Sequence, residues 1–144
     1  YVINVQDNSK DMADDIVHEI AHAAEEKHAA LLYGDGDLQR EFLGKRERLY
    51  QILKVNNENS EEYKNLFHTL EYDIKFDDYL VNQIGYKKLR SYIEGLFYSP
   101  YAATSIREYF ARGFEAYFLF KDHKYLANTS PVLYNKLETL ADME

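Results

Sequence analysis

The segment from Asp11 to Tyr33 contains neither glycine nor proline and is rich in alanine, glutamate and leucine. These are strong helix formers, whereas glycine and proline are the residues that most often interrupt a helix. Asp7, Asn8 and Ser9 offer N-caps before the segment, and Gly34 follows its end. The sequence therefore predicts one long helix over residues 11–33.

Apolar residues recur along this segment at the three- and four-residue spacing of a helical face: Ile16, Ile20, Ala23, Ala24 and Leu31. Such a face would anchor the helix against the rest of the chain. His18 and His22 lie beside it and stand four residues apart. On a helix, residues with this spacing are neighbours, with Cβ atoms about 5–6 Å apart.

Residues 18–22 read HEIAH. Two imidazoles on one helix face can ligate the same zinc ion, and Glu19 between them could accept a proton from a water that zinc activates. Zinc lowers the pKa of such a water towards about 7. The motif predicts a zinc cofactor and the hydrolysis of peptide bonds, although two histidines can also share a helix by chance.

The composition limits the partners and the kind of metal site. A chain of 144 residues with 46% hydrophobic and 29% charged residues suits a single globular domain. A net charge of −8 disfavours nucleic acid and anionic membranes, and no apolar stretch is long enough to span a bilayer. Cysteine is absent, so a zinc site must use histidine and carboxylate. A polypeptide substrate is the partner expected.

The rest of the chain favours a mainly helical fold. Asp37 is predicted to cap a helix that runs to Lys54, and Asn59 to cap one that runs through residues 66–84. Further helices are predicted over residues 86–97, 106–121 and 131–140, the last two with N-caps at Ser105 and Ser130. The opening YVINV alternates and is β-branched, which predicts one short strand. Because one strand is not stable alone, we expect the rest of its sheet to lie outside this chain.

A catalytic zinc normally has three protein ligands, so a third must be found. His28 has the spacing of the motif HExxHxxGxxH, but Glu25 occupies the position of its glycine. In a continuous helix His28 would lie about 80° around the axis from His18, which argues against it. Glu41 and Glu47 are further candidates on a charged helix, and Glu108 is the strongest.

Glu108 opens an apolar helix after a proline-containing loop and stands seven residues after Tyr101. The segment SPYAATSIREYFARGFEAYF, together with HEIAHA, resembles the catalytic domain of the anthrax lethal factor family, which includes the Pro-Pro endopeptidases. The shared pattern is HExxH, then a tyrosine, then a glutamate seven residues later, followed by an aromatic pair and alanine. Here these positions are His18, Glu19, His22, Tyr101, Glu108, Tyr109, Phe110 and Ala111.

The resemblance implies a zincin-like α+β fold with zinc on His18, His22 and Glu108. It also implies Glu19 as general base and Tyr101 as hydrogen-bond donor to the developing oxyanion. Residues 1–144 would form one catalytic domain, in which residues 38–96 look like an inserted helical region. We expect a secreted protein, or part of a larger secreted or phage protein.

Arg112 departs from the family pattern, because relatives have a carboxylate there that orients a ligating histidine. Glu115, Asp14 or Asp15 could replace that carboxylate. Two simpler roles also stay open, namely Glu108 as a capping-box partner of Ser105 and Tyr101 as a loop-packing residue. The alternative function is a catalytically inactive zincin-like binding or structural module within a larger toxin or phage protein.

Overall fold

The computed structural model describes the backbone of residues 5–143 and the side chains of residues 15–143. Eight α-helices lie in this part of the chain, with these bounds: α1 Val5–Lys27, α2 Ala29–Tyr33, α3 Asp37–Val55, α4 Ile74–Asp78, α5 Tyr86–Tyr92, α6 Ile106–Phe118, α7 His123–Thr129 and α8 Pro131–Asp142. Ser60–His68 and Tyr101–Ala103 form 3₁₀ helices, and Tyr79–Ile84 continues α4 as a π-helix. The described residues contain no strand, so the prediction of a mainly helical protein is confirmed.

The first helix differs from its prediction at both ends. It begins at Val5, so the predicted caps at residues 7–9 lie inside it. The predicted strand over residues 1–5 falls mostly outside the described residues, and its last residue, Val5, is already helical. The helix is interrupted at His28, whose φ of −114° and ψ of 25° are not helical, before α2 continues to Tyr33.

The predicted helix through residues 66–84 is not continuous, because helical structure is interrupted between His68 and Ile74. Thr69 is extended, and Asp73 starts α4 by accepting hydrogen bonds from the backbone N–H groups of Lys75 and Phe76. In this non-helical segment the Leu70 carbonyl accepts a 2.9 Å hydrogen bond from the Ile106 N–H at the start of α6. A tertiary contact therefore replaces the local helical hydrogen bonds here.

Of the predicted N-caps, Asp37 is wrong, whereas Asn59 and Ser130 occupy the N-cap positions of their helices without a side-chain capping hydrogen bond. Gly36, with a φ of 76°, is the N-cap of α3, so Asp37 is the first helical residue. Asn59 adopts a left-handed conformation and makes no capping hydrogen bond. Ser105 is confirmed, because its side chain accepts a hydrogen bond from the Glu108 N–H.

The core is built from the inner faces of α3, α6 and α8 together with the aromatic residues of the middle segment. Helix α1 packs mainly along α6. Close approach of α6 to α8 requires Gly113, because a Cβ atom at this position would lie 2.4 Å from Leu133 Cδ2. No helix of residues 5–143 is long and apolar enough to cross a membrane.

Candidate metal centre

The packing of α1 on α6 brings the three predicted zinc ligands together. His18 Nε2 lies 3.1 Å from His22 Nε2 and 3.2 Å from Glu108 Oε2. His22 Nε2 lies 3.4 Å from Glu108 Oε1. Each imidazole thus directs its Nε2 atom towards the carboxylate of Glu108, which lies in the first turn of α6.

These separations fit a zinc ion. Two ligand atoms bound to a tetrahedral zinc at 2.0–2.1 Å are about 3.3 Å apart. Glu108 Oε2 is buried and makes no hydrogen bond in the described part of the chain, although His18 Nε2 lies 3.2 Å away. A buried carboxylate oxygen without a donor is costly, and a bound cation would compensate it.

Each histidine also faces a second carboxylate through its other nitrogen. His18 Nδ1 is 3.0 Å from Oε1 of Glu115, which is only 1% exposed, and His22 Nδ1 is 3.6 Å from Oε1 of Glu25, which is 4% exposed. At His18 the carboxylate favours the tautomer with its proton on Nδ1, which leaves the Nε2 lone pair available to a metal. His22 Nδ1 also lies 3.4 Å from Nη2 of Arg107, which can only donate a hydrogen bond. Both Nε2 atoms lie beside the carboxylate of Glu108.

Of the three carboxylates expected to orient a ligating histidine in place of position 112, Glu115 contacts His18. Asp15 is exposed, and the side chain of Asp14 lies outside those described. The role of Glu25 was missed, and the only sequence signal for it is its position three residues after His22.

Glu25 is held by two donors from other elements. The Tyr33 hydroxyl donates a hydrogen bond to its Oε2, and Arg107 Nε donates one of 2.9 Å to its Oε1. Burial and the Glu25 carboxylate raise the pKa of Tyr33 well above 10, so this hydroxyl remains a donor at neutral pH. The Glu25 carboxylate is therefore fixed beside His22.

Glu108 makes only half of a capping box. Its backbone N–H donates a 3.2 Å hydrogen bond to Ser105 Oγ, as expected for an N-cap. Its carboxylate faces His18 and His22 instead of returning to the N–H of Ser105. The side chain is therefore available as a ligand.

The other candidate ligands lie elsewhere. His28 lines an apolar groove together with residues of α1, α6 and α8. Glu41 accepts hydrogen bonds from Tyr109 and from the start of α8, and Glu47 lies 3.0 Å from His68. Within the described residues, the one group of three metal-binding side chains is His18, His22 and Glu108.

The two predicted catalytic residues lie beside this group. Glu19 is exposed and directly follows His18 on α1. Tyr101 is 36% exposed, and its ring centroid is 6.5 Å from that of His18. Partial burial and the Glu108 carboxylate raise the pKa of Tyr101, which keeps its hydroxyl protonated.

The position of Tyr101 depends on α3, and sequence analysis missed this dependence. Arg46 is fully buried and donates hydrogen bonds to the carbonyls of Ala103, Thr104 and Leu66, at 2.7, 2.9 and 2.9 Å. The first two acceptors lie two and three residues after Tyr101, at the end of the same 3₁₀ turn. Arg46 therefore ties the Tyr101 turn to the core.

Comparisons with protein-family models, with curated proteins and with solved structures found no match for this chain. The function proposed below is therefore argued from the motif residues and their geometry.

Proposed function

We propose that this chain is a zinc-dependent metalloendopeptidase of the gluzincin type, with a zincin-like catalytic domain. The observation that carries the proposal is the convergence of His18 Nε2, His22 Nε2 and the Glu108 carboxylate at separations of 3.1–3.4 Å. The HEIAH motif and the seven-residue spacing from Tyr101 to Glu108 give independent support.

His18, His22 and Glu108 would hold the zinc ion. Three protein ligands are typical of catalytic zinc, which needs a further open position, whereas structural zinc usually has four. Zinc supplies Lewis acidity at this position, lowering the pKa of water and polarising a substrate carbonyl. Glu115 would keep His18 in the tautomer that binds metal.

Glu19 and Tyr101 would act on the substrate. Glu19 accepts a proton from the attacking water and delivers it to the leaving amine, so no covalent intermediate forms. Its exposed position suits a base that must reach water. The Tyr101 hydroxyl donates a hydrogen bond to the oxyanion, an interaction that is strongest in the transition state.

The decisive experiment combines zinc analysis with peptide cleavage. Wild-type protein loaded with zinc should bind one ion per chain and cleave unstructured polypeptides, whereas Glu19→Gln should keep the zinc and lose turnover by several orders of magnitude. The matched control is Glu26→Gln, which changes an exposed carboxylate of the same helix and should remain active.

Three results would contradict the proposal in different ways. A wild-type chain that stays metal-free after loading excludes the zinc site. A chain that binds zinc but cleaves no polypeptide favours the inactive binding or structural module. Undiminished cleavage by Glu19→Gln means that another group is the base.

A further inference from the structure

Arg112 contacts two parts of the candidate centre. It lies one turn after Glu108 on α6, and its Nη1 is 3.3 Å from Glu115 Oε2 and 3.5 Å from Glu115 Oε1. Its guanidinium carbon lies 5.3 Å from the centroid of the Tyr101 ring. A guanidinium in this position can pair with a carboxylate and stack on an aromatic ring at once.

The two partners of Arg112 serve different sides of the site. Glu115 contacts His18 Nδ1, on the side of the metal ligands. Tyr101 supplies the hydroxyl that we assign to the substrate side. Arg112 Nε is buried and has no acceptor in the described part of the chain. The contacts with Glu115 and with the Tyr101 ring therefore do not use the Nε–H group of Arg112.

The spacing of Arg112 and Glu115 explains why an arginine suits position 112. Glu115 follows Arg112 by three residues on α6, so the two side chains are neighbours on the helix surface. A carboxylate at position 112 would face the buried Glu115 with a like charge. The arginine neutralises Glu115, whose Oε1 also lies 3.0 Å from His18 Nδ1.

We propose that Arg112 is a positioning residue that holds Glu115 against His18 and the Tyr101 ring beside the metal ligands. The inference rests on the proposed function for the role of Tyr101. Its connection with His18 depends only on the contacts of Arg112 and Glu115. Loss of Arg112 should therefore affect the affinity for zinc as well as turnover.

The first test measures zinc affinity by competition with a chelator. Arg112→Met should weaken zinc binding several-fold, which is less than the effect of about 10–100-fold expected for losing a residue in direct contact with a ligand. In a Glu115→Gln background the same change should have a much smaller effect, because both changes act through His18. Arg90→Met, which removes an exposed arginine of α5, is the control and should leave zinc affinity unchanged.

The second test addresses Tyr101 through melting temperature. Arg112→Met and Tyr101→Leu should each lower the melting temperature. The sum of these two decreases should exceed the decrease in the double variant, because either change alone removes the stacking contact. Arg112→Lys should recover much of the zinc affinity by keeping the positive charge. It should leave kcat about tenfold low with KM little changed, since an ammonium lacks the planar face that stacks on the ring.

Wild-type zinc affinity in Arg112→Met, or additive effects in both double-variant comparisons, overturns the proposal. A wild-type chain that binds zinc but cleaves no polypeptide overturns the proposed function instead. In that case the affinity measurements still decide whether Arg112 supports His18, and the melting temperatures decide whether it holds Tyr101.

Discussion

At the scale of single residues, the candidate centre concentrates negative charge around two imidazoles. The carboxylates of Glu25, Glu108 and Glu115 face the histidines. Arg107 pairs with Glu25, and Arg112 pairs with Glu115. Glu108 has no such partner among the described residues, although one of its oxygens is buried. A divalent cation between Glu108 and the histidines would compensate this charge.

The hydroxyl of Tyr101 is tested by Tyr101→Phe, which keeps the ring. If the hydroxyl donates to the oxyanion, kcat should fall by about 10²–10³ with KM little changed. Steady-state kinetics on a peptide substrate measure this effect. Tyr125→Phe is the control, because Tyr125 is similarly exposed, at 38%, and packs on Tyr98 instead. An unchanged kcat with a lower melting temperature would assign Tyr101 to loop packing.

The third ligand is tested by comparing Glu108→Ala with His28→Ala. Glu108→Ala should weaken zinc binding strongly because it removes one of three ligands. His28→Ala should leave the affinity almost unchanged, since His28 lines the apolar groove instead of the centre. Zinc titration of both variants measures the difference. If His28→Ala is the variant that loses zinc, the assigned ligand set is wrong.

At the scale of elements, α3 organises the segment that carries the site. Lys45 is buried on this helix, and its ammonium donates hydrogen bonds to the carbonyls of Leu96 and Thr129 and to Ser130 Oγ. The predicted cap Ser130 is therefore an acceptor for Lys45 and makes no capping hydrogen bond. The Glu41 carboxylate, also on α3, accepts hydrogen bonds from the N–H groups that begin α8.

The connection between α3 and the Tyr101 turn is tested by Arg46→Met. The change leaves the carbonyls of Leu66, Ala103 and Thr104 without their donor, and each unsatisfied buried group costs about 1–3 kcal/mol. Burial lowers the pKa of Arg46 to about 9, so the cation itself is costly and part of the loss is offset. We expect the free energy of unfolding to fall by roughly 2–4 kcal/mol.

Denaturant unfolding measures this loss. Arg48→Met changes an exposed arginine of the same helix and should stay within about 0.5 kcal/mol of the wild type. Equal stabilities for the two variants would mean that Arg46 does not hold the turn in place.

At the scale of the whole molecule, tyrosine joins the short helices. The sequence has fourteen tyrosines and no tryptophan. Tyr79 stacks on Tyr63 at 4.1 Å and donates a 2.7 Å hydrogen bond to the Glu58 carbonyl, and Tyr98 donates one to Asp122. Rings thus pack in the core while hydroxyls reach polar groups at its edge.

This use of tyrosine predicts a loss of stability in alkali. Burial raises the pKa of Tyr79 and Tyr98 well above 10, whereas the unfolded chain ionises near 10. The two tyrosines contribute fully to the free energy of unfolding below pH 10. This contribution is lost as the pH rises from 10 through their pKa values in the folded protein. Lys45 has the opposite effect, because burial lowers its pKa to about 8. It increases the free energy of unfolding as the pH rises from about 8 to 10.5.

We therefore expect the free energy of unfolding to decrease above about pH 10, once the tyrosine contributions outweigh that of Lys45. Urea unfolding from pH 8 to 11.5 measures the profile. Tyr79→Phe should flatten the decrease, and Tyr125→Phe serves as the control at an exposed position. Identical profiles for wild type and Tyr79→Phe would show that the buried hydroxyl is not responsible.

The sequence alone was sufficient for features that depend on neighbouring residues. Helical structure around HEIAH follows from composition, and the shared face of His18 and His22 follows from their spacing. Ser105 was recognised as an N-cap because such a bond spans three residues. Glu108 and Tyr101 required the family resemblance, since they lie far along the chain from His22 and no local pattern links them. Whether residues 38–96 are an insertion remains a prediction.

Only the tertiary structure decided how distant residues are used. It broke the predicted helix after His68, so that Leu70 pairs with Ile106. It placed Glu25 and Glu115 behind the histidines and buried Arg46 on a helix whose sequence is mostly polar. The physical reason is the same in each case. A buried carboxylate, guanidinium or carbonyl must find a partner wherever packing brings one, and sequence spacing does not encode that position.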